Sequence, residues 1–397
     1  MMAAITAAEH GAAVTLLEPN ERLGKKLNIT GKGRCNVTNN AGSTELLAHV
    51  VRNPRFLYSA FSRFDGRDAI AFFEGIGVPL KTERGNRVFP VSDRSFDISS
   101  ALEKRLRTLH VNWVQDRAES LLLEADHISG VCTERGKYPA DAVILATGGV
   151  SYPATGSTGD GYRLAKMVGH TVVPPAGSLV PLTSPDPCCA AMQGLALKNV
   201  RVTVYGQKRE KIFEEFGEML FTHFGLSGPV ILSASAVMRN FENGYTVEID
   251  LKPALDDRKL EARLLRDIGE KKNQTFKSLV AGLVPRKMVP VVVERCGVSG
   301  ETPVNSLTRE NRRTLETVLR GFTILVTGTR PIAEAIVTAG GIKIDEVSPK
   351  TMESKIVKGL YFAGEILDTD ACTGGFNLQI AWATGRAAGE AAAENKI

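Results

Sequence analysis

The sequence has no apolar run long enough to span a bilayer. Its alanine-rich start lacks the basic flank and cleavage pattern of a signal peptide, so the cytoplasm is the expected compartment and no membrane partner is expected. It has no C-x-x-C pair. The six cysteines, at 35, 132, 188, 189, 296 and 372, include one adjacent pair, whose geometry is poor for an unstrained disulfide; free thiols and no metal site are expected. No basic block is interleaved with aromatics, and a net charge of +5 over 397 residues is mild, which argues against a nucleic-acid partner. Also absent is a G-x-G-x-x-G turn. What is present is 43% hydrophobic residues, enough for a large core and for two or three domains.

The most informative stretch lies near the end, GLYFAGEILDTDACTGGFNLQIAWATG over residues 359–385. It reads as a buried strand at 360–363, a tight turn at Gly364-Glu365, a glycine-rich loop, and a helix opening at Gly374 or Gly375. Glycines let a ligand approach the backbone, and a helix start aims free N–H groups and a positive dipole end at it. A flavin's pyrimidine edge is usually held this way, and the helix end favours the anionic, reduced state. Ala381, Gly385 and Gly389 recur every four residues and predict a bare face able to pack on a sheet or a cofactor. An ordinary strand-loop-helix crossover has the same outline.

At the start, residues 2–10 read as a helix closed by Gly11, and 13–17 as a buried strand ending in Glu18. This is the second half of a dinucleotide-binding βαβ unit, in which the acid takes ribose hydroxyls about 20 residues after a glycine turn. Counting back puts that turn at or before residue 1. Either the unit begins without its first strand or the start is cut or misassigned. The second is expected, with Met1 or Met2 inside the first helix, since a parallel sheet without its central strand leaves backbone unpaired.

Residues 23–39 hold three glycines, three lysines and Arg34 among small polar residues, a cationic loop suited to a pyrophosphate. The alternative is a solvated basic turn, on which Ile29, Cys35 and Val37 would be wasted. Helices are expected within 45–75 and over 95–110, the latter with Ile98, Leu102 and Leu106 on one face. Between them, 81–91 reads as a hairpin or edge segment whose Arg84, Arg87 and Phe89 line a substrate cleft or lie on the surface. Residues 111–114, 118–124 and 128–133 read as an antiparallel ribbon. Residues 142–146 form a buried run ending at Thr147-Gly-Gly149, where open α/β sheets place their crevice. A small-residue loop then enters a helix with Asp160 as its N-cap.

From about Pro174 prolines cluster and β-rich segments follow, at 197–205, 218–222 and 245–251, as in an inserted barrel or sandwich. His223, in a strand-to-helix turn with Gly225 and Gly228, is the best acid/base candidate of six histidines, although a lone histidine is more often structural. Residues 255–320 are charged and helix-periodic.

Five motifs in this order carry a resemblance: Thr30-Gly-Lys-Gly-Arg-Cys-Asn36, Thr155-Gly-Ser-Thr-Gly-Asp-Gly161, Phe221-Thr-His-Phe-Gly-Leu-Ser-Gly-Pro229, Ala339-Gly-Gly341 with Thr351-Met-Glu-Ser-Lys355, and Gly364-Glu365 with Gly374-Gly-Phe-Asn-Leu-Gln379. Over essentially its whole length the chain resembles the BaiN-like (BaiN/RdsA) NAD(P)/FAD-dependent oxidoreductases, also known as aminoacetone oxidase family FAD-binding enzymes. The resemblance implies an α/β fold: a glutathione-reductase-like FAD-binding Rossmann domain (1–175 and 335–397) interrupted by a β-barrel domain (176–254 and 321–334) that carries a helical module (255–320). It also implies site roles. Glu18 would hold the adenine ribose, and Ala118 would be a further cofactor contact. Lys25, Lys26, Thr30, Gly31, Gly33 and Arg34 would line the pyrophosphate and ring face, with Cys35 and Asn36 close behind. Thr147 and Gly148 would meet the cofactor at their strand end, and Gly364 and Glu365 would reach ribityl or pyrophosphate groups. Gly375, Asn377 and Leu378 would present N–H groups to the pyrimidine. The chain departs from the family in lacking the glycine loop, and in having Ala371-Cys372 where members often carry glycine.

The expected activity is hydride transfer between flavin N5 and a small organic substrate; the family name alone implies NAD(P)H as donor, which would bind transiently over the flavin, since no second nucleotide turn is present. Two other readings stay open, an oxygen-using oxidase of a small amine or alcohol and a flavin-binding regulatory protein. A nucleic-acid-modifying flavoenzyme would need a basic face, and the cations are dispersed.

Overall fold

Two short parallel strand pairs form, Thr15–Leu17 beside Asn112–Val114 and Leu360–Phe362 beside Val143–Leu145; the second pair is buried, whereas the strand expected to be buried at 13–17 is exposed at Thr15 and half-buried at Leu16 and Leu17. They belong to the first of two units into which the computed structural model divides: Met1–Ser178 with Pro331–Ile397, and Leu179–Arg330. Residues 1–394 are described; the last three of the expected 335–397 segment lie outside them. Among the described residues no strand joins the two parallel pairs. The pairing of 112–114 corrects the ribbon expectation. Asn112 aligns with Thr15 in parallel, and the antiparallel meander is instead Ala118–Glu124, His127–Thr133 and Gly136–Pro139. Residue types mark 112–114 as a strand, but its partner is fixed by distant chain.

Around these strands the first unit builds a core from helix faces. Met2–Glu9 buries Met2 and Ile5, and Ser95–Thr108 buries Ile98, Leu102 and Leu106 as their spacing predicts. Gly66–Gly75 starts in a capping box, Asp65 accepting from the Arg67 and Asp68 N–H groups while Asp68 accepts from the Asp65 N–H. Such a cap adds about 1 kcal/mol. The hairpin expected at 81–91 is Leu80–Glu83 and Arg87–Pro90, with Thr38–Asn39 added beside the second strand.

The final helix, Phe376–Glu394, buries Phe376, Gln379, Ile380, Trp382 and Ala383 and is the spine of this unit. Of its small-residue face, Ala381 lies against Gly364, while Gly385 and Gly389 face the first helix. A side chain at Gly389 would meet the Ala3 carbonyl oxygen at 2.5 Å, so the bare face serves the first helix. The helix of Asp160–Met167 also departs from expectation: Gly159 occupies its N-cap, and the Asp160 carboxylate instead takes the Arg117 guanidinium at 2.7 Å.

The second unit holds a seven-stranded antiparallel sheet that begins with Phe322–Val326 and ends with Gly328–Thr329. Its two edges are separated in sequence only by Thr327, so the sheet curls back on itself as a barrel. Helices Asp257–Glu270, Phe276–Ala281, Val289–Cys296 and Arg309–Arg320 share its core, with Leu260, Leu264, Leu315 and Leu319 in one cluster with Val202, Val247 and Ile324. No described helix is long and apolar enough to cross a membrane.

Candidate functional site

The site grows from the start of the spine helix. Its first helical bond runs from the Gln379 N–H to the Gly375 carbonyl, so the N–H groups at 376–378 precede the ladder and point out of the helix end. Several side-chain bonds clamp this end onto the segment 37–39. Thr38 Oγ1 donates to Gln379 Oε1 (2.6 Å), Gln379 Nε2 to the Phe64 carbonyl (2.8 Å), and Trp382 Nε1 to the Val37 carbonyl (2.9 Å). Asn39 Nδ2 bridges the carbonyls of Gly85 (3.0 Å) and Gly374 (3.1 Å), tying the hairpin tip to the glycine loop. Gly375 allows this approach. Its φ is 97°, and an added Cβ would sit 2.4 Å from the carbonyl carbon and oxygen of Thr38. The Asn377 side chain binds both the N–H (3.0 Å) and the carbonyl (2.8 Å) of Ala371, shaping the loop, while Leu378 is half-buried beside it.

A second cluster gathers at Glu365. Lys26 Nζ donates to both Glu365 oxygens (3.1 and 2.9 Å) and to Ser151 Oγ (2.7 Å). Glu365 Oε1 also accepts from the Thr338 N–H (2.9 Å) and Ser151 Oγ (3.0 Å). Thr338 Oγ1 in turn accepts from the N–H groups of Val150 and Ser151. The Gly-Gly149 turn is bare for this reason, because a Cβ at Gly149 would lie 2.2 Å from Thr338 Oγ1. Gly148 (φ 73°) and Gly364 (φ 76°) supply the left-handed turns on either side. Thr147 Oγ1 is buried without a partner among the described residues, pressed against Gly161.

Glu18 follows its parallel strand, and its Oε1 accepts both the N–H and the Nδ2 of Asn20 (2.9 and 2.7 Å). In the cationic loop Thr30 is committed to the chain: its hydroxyl donates to the Leu27 carbonyl and its own carbonyl accepts from the Cys35 N–H. Gly31 and Gly33 have φ of 56° and 83°. Cys35 is fully buried, and burial pushes its thiol up to about 12, so it is an inert neutral group. Asn36 Oδ1 is buried and has no hydrogen-bond partner among the described residues.

Two cations expected at a pyrophosphate are paired within the chain. Arg34 binds Asp93 (2.8 Å through Nε) and Glu83 and lies over the Phe89 ring at 4.1 Å. Lys25 donates to Asn20 and Glu21. Carboxylates close in space compensated these charges before any ligand could. Ala118 lies at the start of its meander strand, where its carbonyl accepts from Arg163.

His223 belongs to the second unit. It sits exposed in a hairpin turn between Lys211–Thr222 and Gly225–Ser227, its ring edge-on to Phe224, and not in a strand-to-helix turn. Among the described residues no group of three or more His, Cys, Asp or Glu is placed to hold a metal ion.

Sequence reasoning missed Asn20, Asn39, Ser151 and Thr338 and left Gln379 without a role. Gln379 closes the GGFNLQ motif, and one helical turn separates it from Gly375, which is the signal that points to it.

The fit to a flavin dinucleotide rests on the exposed helix start beside a backbone with no side chain, the unpartnered Asn36 Oδ1 able to accept an N–H, and the acid at the end of the first strand. These match the ring and ribose ends of the cofactor.

A 3-dehydro-bile acid delta(4,6)-reductase of Clostridium scindens is 32% identical over 400 residues, covering 99% of this chain and 96% of that protein. A ribosomal RNA dihydrouridine synthase of Escherichia coli is 31% identical over 388 residues, covering 97% and 93%. The latter name removes the force of the charge argument against a nucleic-acid partner. Among solved structures, a quinol-fumarate reductase with menaquinol shares the fold at a TM-score of 0.51 and 16% identity, covering 99% of this chain and 68% of that one. The sequence profile described as HI0933-like protein Rossmann domain matches residues 1–391, and the chain belongs to that family.

Proposed function

We infer that this chain is an FAD-dependent oxidoreductase that moves a hydride between the cofactor and an organic substrate, with reduced nicotinamide as donor. The observation that carries the reading is the helix start at 375–378, clamped against Thr38 through a residue that tolerates no side chain. FAD, when bound, accepts and returns hydride at N5. The chain's part is placement and electrostatics. The N–H groups at 376–378 bind the pyrimidine edge and stabilise negative charge there. Asn36 Oδ1 accepts from a ring N–H, and Glu18 takes ribose hydroxyls through the oxygen that Asn20 leaves open. Lys26 is neutralised by Glu365, so this pair braces 151 and 338 behind the site.

Reductase chemistry is preferred to oxidase chemistry because the bile-acid relative is named a reductase. The two relatives named for ribosomal RNA support a second substrate class, a uracil base in RNA. Purified protein should be yellow, and NADPH or NADH should bleach it anaerobically. A steroid enone and a uridine-containing RNA then compete as substrates that restore the colour. A colourless protein, or one bleached by no nicotinamide and reoxidised only by oxygen, refutes the donor assignment or the cofactor.

A further inference from the structure

The loop that leads into the helix start hides a charge. Asp370 is completely buried, with Ser178 Oγ donating to its Oδ2 at 2.6 Å and Arg52 Nε facing its Oδ1 at 3.4 Å, too far and too misaligned for a hydrogen bond. Arg52 is shared, its Nη1 lying 3.2 Å from Asp368 Oδ1. One guanidinium therefore serves two carboxylates, and neither the Asp370 Oδ1 nor the neighbouring Thr369 hydroxyl has a hydrogen-bond partner among the described residues. The backbone around Asp370 is held on both sides. The N–H groups of Val51 and Arg52 donate to its carbonyl, and the next residue, Ala371, is bound twice by Asn377 of the helix's first turn. The His49 ring stacks on Phe376, the first residue of that helix, at 4.2 Å. Asp370 thus sits directly behind the end that meets the pyrimidine edge, fully buried.

We propose that Asp370 is a positioning residue whose charge, switching with pH, tunes the reduction potential of the bound flavin. This rests on the FAD reading above. Reducing a bound flavin by two electrons and one proton adds one negative charge at the pyrimidine edge, and an ionised Asp370 opposes it while a neutral one does not. Burial pushes the Asp370 carboxyl up to about 6, against the pull of Ser178 and Arg52, so both states are accessible near neutrality. The other charged or titratable groups facing it are few. Asp368 raises its proton affinity, Glu365 adds to that across a charge already matched by Lys26, and burial lowers the proton affinity of the His49 ring, with Glu45 opposing.

The test is the potential of the bound flavin in wild type and Asp370→Asn, measured from pH 5 to pH 8. The Asn variant should be more positive than wild type at pH 8 and coincide with it at pH 5. A gap of equal size at both ends is what a merely structural effect gives, and it overturns the proposal, as does no gap. Ser178→Ala removes the donor that favours the ionised form, so the bend in the profile should move to higher pH; an unmoved bend also overturns it. The apo chain gives an independent readout. A carboxyl whose folded pKa is raised contributes stability that is complete below its unfolded value, near 4, and lost as pH climbs through about 6. The melting temperature of Asp370→Asn relative to wild type should therefore rise between pH 4 and 7. A flat difference would overturn the buried-acid assignment. A chain that takes up no flavin at any pH sinks the cofactor reading and this proposal together, whereas a yellow chain with pH-independent gaps sinks this proposal alone.

Discussion

Gly375→Ala tests the clamp directly. Two costs add. A residue with a side chain held at φ 97° is strained by about 1–3 kcal/mol. Its Cβ would also lie 2.4 Å from the Thr38 carbonyl, a backbone group that cannot swing away, so the helix end must retreat. Retreat puts the Asn39–Gly374 and Thr38–Gln379 hydrogen bonds at risk, each worth about 1 kcal/mol. The sum is about 3–5 kcal/mol, or a fall in Tm of roughly 6–20 °C for a unit of this size. Thermal melts followed by tryptophan fluorescence read it, since Trp382 donates to the Val37 carbonyl and should lose that environment early. Gly75→Ala is the control in the same unit. Its φ is not positive and nothing lies within 4 Å of the added Cβ, so stability should hold or rise by up to about 1 kcal/mol. A Gly375→Ala protein that melts within about 1 °C of the parent and binds flavin equally would refute the close packing on which the site rests.

Two further outcomes are expected. Glu365→Gln should release Lys26 and loosen the Ser151 and Thr338 contacts; the pair is about one-fifth to one-quarter exposed, so the loss should be near 1 kcal/mol, with weaker flavin retention on gel filtration. Iodoacetamide at pH 8 should label Cys132 and Cys372 in the native protein and spare Cys35 and Cys296, whose thiols burial pushes up, and Cys188, whose thiol is raised first by its hydrogen bond with Cys189 and then by burial; mass spectrometry of peptides reads this, and rapid alkylation of Cys35 would contradict its burial.

Much of the site was legible because it depends on backbone shape. The strand at 360–363, the glycine loop and the helix start could be read since glycine and apolar periodicity encode them locally. The Ile98, Leu102 and Leu106 face was readable for the same reason. What failed depended on distant partners. Residues 112–114 look like any strand, and only the fold makes Asn112 the parallel neighbour of Thr15. Lys25, Lys26 and Arg34 are alike in sequence, yet Arg34 meets Glu83 and Asp93 while Lys26 meets Glu365, 339 residues away. The strand read at 218–222 begins at Lys211, because its outer half points Glu214 and Phe216 to solvent and so lacks the buried alternation that marks a strand. His223 was placed correctly near glycines, but the hairpin that displays it is set by the pairing of Leu220 with Ser227.

The clamp also dictates when the site can exist. Thr38 and Gln379 are 341 residues apart, and Val37 and Trp382 are 345 apart. At a synthesis rate of roughly 5–20 residues per second, the segment 37–39 waits about 20–70 s on the ribosome before its partner helix emerges. The second unit, an unbroken piece of chain, can finish folding during that interval. The first cannot, and its buried Val37, Leu46 and Phe73 stay uncovered until the last twenty or so residues arrive. A nascent chain stalled before residue 376 should therefore carry a folded second unit and a still open N-terminal segment, and cofactor capture has to wait for the helix that begins there.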